Sequence, residues 1–125
     1  MGNDLSEEAI RSGLATDWLG RAYHFVSETH STNDRLRAWV EDSLADPPAS
    51  GTVLLADYQT SGRGRLGRRW EVPPGSSLLF SVLFRPNWPA DQAGWMTMIA
   101  GLALAESIEA MTGITVGLKW PNDLM

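Results

Sequence analysis

The chain has 125 residues, 43% of them apolar and six of them tryptophan, enough for one domain with its own core and too few for two. Ten Lys and Arg against fifteen Asp and Glu leave a net charge of −5, which argues against a general polyanion binder, and the absence of cysteine excludes a disulfide framework, a thiolate metal site and a cysteine nucleophile. No apolar stretch approaches the roughly 20 residues needed to span a bilayer, and Met1 to Glu8 lack the basic start and apolar run of a secretory signal, so a cytoplasmic protein with no membrane partner is expected.

In chain order, Asp4 is placed to cap a short helix with Glu7 at its third position and Ile10 and Leu14 on its apolar edge, ending near Gly13. Residues 1 to about 20 therefore read as a helical lead-in. Tyr23 to Ser27 alternate as a strand does, and the polar run Glu28 to Asp34 leads into a helix with Ser31 or Thr32 as its cap. Leu36, Trp39, Val40, Ser43 and Leu44 follow at helical spacing until Asp46-Pro47-Pro48 stops the helix. Thr52 to Tyr58 is continuously apolar, as a central strand is. Leu78 to Phe84 is a second strand with apolar residues on both faces, expected inside a covered sheet, and Arg85 to Pro89 breaks it. Asp91 is placed to cap a long core helix through Met111, which Gly113 closes, and Thr115 to Lys119 reads as a last strand.

Between Thr52–Tyr58 and Leu78–Phe84 lies Gly62-Arg63-Gly64-Arg65-Leu66-Gly67-Arg68-Arg69-Trp70, four of the chain's ten basic residues in one glycine-hinged loop. Three glycines at positive φ would turn backbone N–H groups inward, the arginines would fork onto phosphate or carboxylate oxygens, and Trp70 would supply a flat apolar face. A small anionic ligand, a nucleotide first, fits this better than nucleic acid does. The spacing also satisfies G-x-G-x-x-G, but no helix can open inside the run, because Arg68 to Gly75 holds two prolines and ends in glycine, so a Rossmann site is rejected. A Walker A loop is absent, since Lys119 is the only lysine in the chain.

Other spots have plain alternatives when taken singly. Ser31, Thr32 and Asn33 suit a helix cap, Gln59 a turn, Asn122-Asp123 a strand end, and Lys119 a solvated strand terminus. His24 and His30 have no partner at ligand spacing, so no metal site is expected from them.

Taken in order, Ser31-Thr32-Asn33, Tyr58 to Trp70 and Lys119-Trp120-Pro121-Asn122-Asp123-Leu124 resemble the catalytic module of biotin protein ligase, from about Tyr23 to the end. The resemblance implies an α/β (α+β) fold in which a mixed sheet is flanked by helices, shared with class II aminoacyl-tRNA synthetases. It implies ATP-dependent activation of biotin to biotinyl-5′-AMP, with Mg2+, and transfer of the acyl group to a lysine of a biotin carboxyl carrier domain such as that of acetyl-CoA carboxylase. By the same resemblance Ser31, Thr32, Asn33, Gln59, Arg63, Gly64 and Arg65 hold biotin, with Asn33 either orienting Thr32 or touching the ligand. Gly62, Gly64, Arg65, Arg68, Trp70, Asn122 and Asp123 hold the nucleotide or adenylate, with Trp70 packed on adenine once the loop closes. Arg63, Arg65 and Asp123 carry the chemistry, the arginines by offsetting charge on the α-phosphate, Asp123 by orienting the incoming amine or a magnesium-bound water.

In that family the pattern continues into a further strand, a lysine-glycine motif whose lysine contacts the biotin carboxyl and α-phosphate, and a small C-terminal domain, all past Met125. The expectation is therefore an N-terminal, truncated part of the module, with weak or absent ligase activity alone. Lys119 matches the lysine before Trp120 and not the missing one. The length before Tyr23 leaves no room for a winged helix-turn-helix, so the type without a DNA-binding domain is expected, and a homodimer is compatible with it. Rival expectations are a lipoate-protein ligase, whose arginine-arginine and serine-triple-glycine signature is absent, and a non-catalytic biotin-binding fragment.

Overall fold

A computed structural model of the chain describes residues 4–120 and 122–125; the Pro121 of the last motif and residues 1–3 lie outside the described residues. The chain divides into two compact units, Met1–Arg85 and Pro86–Met125.

The first unit is built on a three-stranded mixed sheet in the order β1-β2-β5, with β1 (Tyr23–Thr29) parallel to β2 (Val53–Gln59) and β5 (Leu79–Val82) antiparallel to it. A parallel pair needs a crossover, and α2 (Thr32–Asp42) supplies it. The register sets Phe25 opposite Leu55 and Leu55 opposite Phe80, and His24 opposite Leu54 and Leu54 opposite Ser81. The second of these faces meets α2: Leu36 is buried, and the Trp39 ring stands edge-on to His24 with centroids 4.8 Å apart. β2 is the central strand that its apolar run predicted, with Leu54, Leu55 and Ala56 all buried.

Three sequence expectations are corrected in this unit. The lead-in helix α1 (Glu7–Gly13) is capped by Ser6, whose Oγ accepts from the Ala9 amide at 3.2 Å, while Asp4 accepts from the Ser6 amide instead. Ser6→Ala should therefore destabilise the chain by about 1 kcal/mol in a denaturant melt, more than Asp4→Ala. α2 stops at Asp42, a turn earlier than the prolines suggest, and Leu44 is left 83% exposed. β5 is an edge strand of the three: Leu79 and Ser81 are buried, but Phe80 faces the open side. Tyr23 closes the base of the sheet, its hydroxyl donating to the Leu5 carbonyl at 2.9 Å; burial, with the Glu7 carboxylate second, pushes its phenol pKa up.

After β2 the chain forms a small hairpin in place of any helix, β3 (Gly62–Arg63) against β4 (Arg69–Trp70), with a 3-10 turn at Arg65–Gly67 as its tip. This is the conformation that excludes a dinucleotide fingerprint.

The second unit holds α3 (Gly94–Thr112) and a hairpin of β6 (Leu118–Lys119) with β7 (Asp123–Leu124). Asp91 does not cap α3; it sits in a preceding 3-10 turn at Ala90–Gln92, and the helix begins without a side-chain cap. Gly113 ends it as expected, at φ 74°, with its N–H on the Glu109 carbonyl. The expected strand from Thr115 shrinks to two residues in that hairpin. The expectation of a core helix is corrected: α3 is apolar nearly all round, yet among its described residues only Ala105 is buried, and Trp95, Met98, Ile99 and Leu102 are exposed. Among the described residues no helix is long and apolar enough to cross a membrane.

Candidate functional site

β1 and β2 run parallel and end together, at Thr29 and Gln59, and the carboxyl ends of parallel strands are where α/β folds leave a crevice. Here the crevice is a cavity of about 270 Å³ lined by Ser31, Thr32, Asn33, Gln59, Arg63, Trp70, Leu78, Leu79, Phe80 and Ser81. Six residues singled out from the sequence thus come together from three segments. The first turn of α2 brings Ser31, Thr32 and Asn33, the end of β2 brings Gln59, and the hairpin brings Arg63 and Trp70.

The polar residues form a chain of hydrogen bonds with a definite polarity. Ser31 is the helix cap, accepting from the Asp34 amide at 3.3 Å, and is itself buried. Gln59 Oε1 receives the Thr32 amide at 2.7 Å and lies 3.0 Å from the Thr32 hydroxyl, so this side chain satisfies an N–H that the helix leaves without an internal partner. Thr32 Oγ1 is also 2.8 Å from Ser81 Oγ, and the Ser81 hydroxyl donates to Asn33 Oδ1. Thr32 and Ser81 own one hydroxyl proton each, so two protons serve three contacts: Ser81 donates to Asn33 Oδ1, and the Thr32 proton goes either to Ser81 Oγ or to Gln59 Oε1, which the Thr32 amide already engages. With their oxygens engaged, the two amides have their NH2 groups left to offer. Gln59 Nε2 sits beside Gly62, where an added Cβ would lie 2.9 Å from it.

The cavity therefore joins amide donors to apolar walls from Leu78, Leu79, Phe80 and Trp70, with a guanidinium at its rim. That combination suits a ligand with an apolar body, a carbonyl acceptor and an anionic group. Ser81 was missed by sequence reasoning, although a small hydroxyl in the middle of Leu78-Leu79-Phe80-Ser81-Val82-Leu83-Phe84 was the available signal.

The glycine-arginine loop departs from its expected geometry. Gly67 alone of its three glycines has positive φ, at 75°; the other left-handed residue is Leu66, at φ 58° and 90% exposed. Gly62 is needed for a different reason, since a Cβ there would run into the Trp70 carbonyl oxygen across the hairpin. Gly64 is close to Arg68 to a lesser degree, a Cβ there meeting the Arg68 Cβ at 3.2 Å, and its N–H donates to the Arg68 carbonyl at 2.7 Å. Close approach rather than an inward ring of amides accounts for these two glycines. Arg65 and Arg68 lie on the exposed tip and do not line the cavity, whereas Arg63 does. Asn122 and Asp123 belong to the second unit, where both are exposed and Asp123 pairs with Lys119 in the β6–β7 hairpin. Among the described residues no three His, Cys, Asp or Glu side chains cluster as metal ligands would.

Residues 25–125 match the biotin/lipoate A/B protein ligase family. The bifunctional ligase/repressor BirA of Bacillus subtilis is 36% identical over 124 residues, covering 97% of this chain and 36% of that protein. The biotin–[acetyl-CoA-carboxylase] ligase of Mycobacterium tuberculosis is 34% identical over 128 residues, covering 97% of this chain and 46% of its own length. Among solved structures, biotin protein ligase from Aquifex aeolicus in complex with biotin and ATP superposes with a TM-score of 0.70 at 38% identity, over 83% of this chain and 41% of that one. The chain thus spans less than half the length of the relatives it matches. With a mixed-sheet α+β fold, a cavity at the ends of its parallel strands and a family match over four fifths of its length, the chain belongs to the biotin/lipoate A/B protein ligase family.

Proposed function

We propose that this chain is the N-terminal part of a biotin protein ligase catalytic module, forming biotinyl-5′-AMP from biotin and MgATP and passing the biotinyl group to a lysine of a biotin carboxyl carrier domain in the cytoplasm. The observation that carries this is the polarity of the hydrogen-bonded chain, whose acceptors are engaged and whose amide donors remain beside an apolar cavity. A ureido carbonyl on an apolar bicycle is the complement of such a wall. The dithiolane ring of lipoate would bring only weak sulfur acceptors to these donors.

In the first step a biotin carboxylate oxygen bonds to the α-phosphorus as the bond to pyrophosphate breaks. Arg63, at the cavity rim, offsets repulsion between the two anions and the charge growing on the phosphoryl oxygens. Arg65 and Arg68, on the exposed tip of a hairpin paired over two residues per strand, are assigned to the phosphate once the loop folds inward, with Gly62 and Gly64 letting the backbone approach and Trp70 packing on adenine. In the second step the carrier amine attacks the acyl carbon, AMP leaves, and the amine loses its proton; Asn122 and Asp123 are assigned to orienting that amine. Magnesium supplies charge neutralisation as part of the nucleotide substrate.

Calorimetric titration with biotin and with lipoate, followed by biotin-dependent ATP–pyrophosphate exchange, tests the assignment. Biotin is expected to bind and lipoate not to. Lipoate binding, or lipoate-dependent exchange, would move the chain to the lipoate branch of its family, and biotin binding without exchange would identify a binding part that needs further residues for chemistry.

A further inference from the structure

The first turn of α2 carries a carboxylate to which the proposed reaction gives no task. With Ser31 as cap, Asp34 stands at the third helical position, from which an acidic side chain ordinarily reaches back to the amide of the cap residue. Its own amide does bond Ser31 Oγ, but its carboxylate turns outward to Arg63, with Oδ2 2.9 Å from Nη2. Arg63 is at once a wall of the cavity and one of the two residues of β3. A hairpin paired over two residues per strand is marginal by itself. The loop's other paired arginine, Arg69, meets Glu71 and the Thr60 carbonyl, both next to the loop. Among the described residues, Asp34–Arg63 is therefore the one ion pair that ties the loop to a helix.

We propose that Asp34 is the positioning residue of Arg63, holding its guanidinium at the cavity rim before a ligand arrives, so that the loop starts half docked. The inference rests on the proposed function only for what the cavity receives; the tie itself belongs to the free chain. The two side chains are 36% and 69% exposed, so the pair is weak and salt-sensitive. Weakness suits the task, because a loop that must admit a ligand and later release one needs a bias rather than a lock. An anionic group entering beside Arg63 competes with Asp34 for the same donors, which couples arrival of the ligand to release of the tie.

Limited trypsin digestion of the free chain, with cleavage after Arg65 and Arg68 followed by mass spectrometry, tests this directly. Asp34→Asn keeps size and removes charge, and should speed cleavage about two- to fivefold at about 0.01 M salt, with the gap closing near about 1 M salt. Asp34→Glu, which keeps the charge, should behave as the parent. In an Arg63→Gln background, Asp34→Asn should add nothing. Equal rates for parent and Asp34→Asn would overturn the proposal, as would the same acceleration in the Arg63→Gln background. Faster cleavage at Arg11 and Arg85 as well would show general loosening and count equally against it. Saturating biotin, whose carboxylate takes over the Arg63 donors from Asp34 as the loop closes on it, should slow cleavage of the parent; its failure to do so would remove the biotin assignment and leave the tie standing.

Discussion

Thr32→Val is expected to lower biotin affinity by about tenfold or more, about 1.4 kcal/mol, and to cost about 1–3 kcal/mol of stability in the free chain. The substitution keeps volume and β-branching and removes one hydroxyl, so the loss comes from hydrogen bonding alone. That hydroxyl is 4% exposed with its residue and stands between Gln59 Oε1, at 3.0 Å, and Ser81 Oγ, at 2.8 Å. Without it Ser81, itself buried, keeps Asn33 as its single partner, and Gln59 is held by the Thr32 amide alone. Both amides then gain freedom to rotate, and the donor face they present to a ureido oxygen is no longer fixed. Calorimetry and a urea melt on the same sample check the two halves. A variant that melts lower but binds as the parent does would show that the network supports the fold and not the ligand.

Gly62→Ala should be more damaging to binding than to stability, abolishing measurable biotin binding while costing about 1–3 kcal/mol. The new methyl meets the Trp70 carbonyl oxygen, which is backbone, and the Gln59 Nε2, at 2.9 Å, which is one of the two amides lining the cavity. Neither can give way cheaply. Moving Trp70 opens the β3–β4 pairing, where Gly62 and Trp70 are direct partners, and moving Gln59 pulls its oxygen off the Thr32 amide. Gly67→Ala on the exposed tip has space around its Cβ but keeps a positive φ, so it should cost about 1 kcal/mol or less and spare ligand affinity in the free chain. Should the two alanine variants lose binding to the same degree, the argument from close approach at Gly62 fails.

The contrast between these two glycines shows how far the sequence could be followed. Glycine-arginine spacing marked the loop as a ligand loop, and the absence of a following helix was legible from Arg68 to Gly75. Which glycine serves a left-handed turn and which serves a close approach was not, because that depends on the strand pairing of Gly62 with Trp70, eight residues further on. A similar limit applied to α3. Its length and Gly113 stop were plain, but an apolar pattern that goes all round a helix names no buried face, and the structure leaves most of that surface open.

By itself the sequence determined the order of the long elements of the first unit and the central place of β2, since periodicity, caps and strand ends are properties of neighbouring residues, while six of the residues that line the cavity were named through the motifs that resemble biotin protein ligases. Only the tertiary structure decided that Ser81 joins Thr32 across 49 residues, that the Asp34 carboxylate turns to Arg63 instead of to its own cap, and that Arg65 and Arg68 stand outside the cavity in the free chain. Each of these is set by the register of β2 against β5 or by where a short hairpin lands on a helix. Such distances are fixed when the sheet closes, and nothing in the local pattern of residues encodes them.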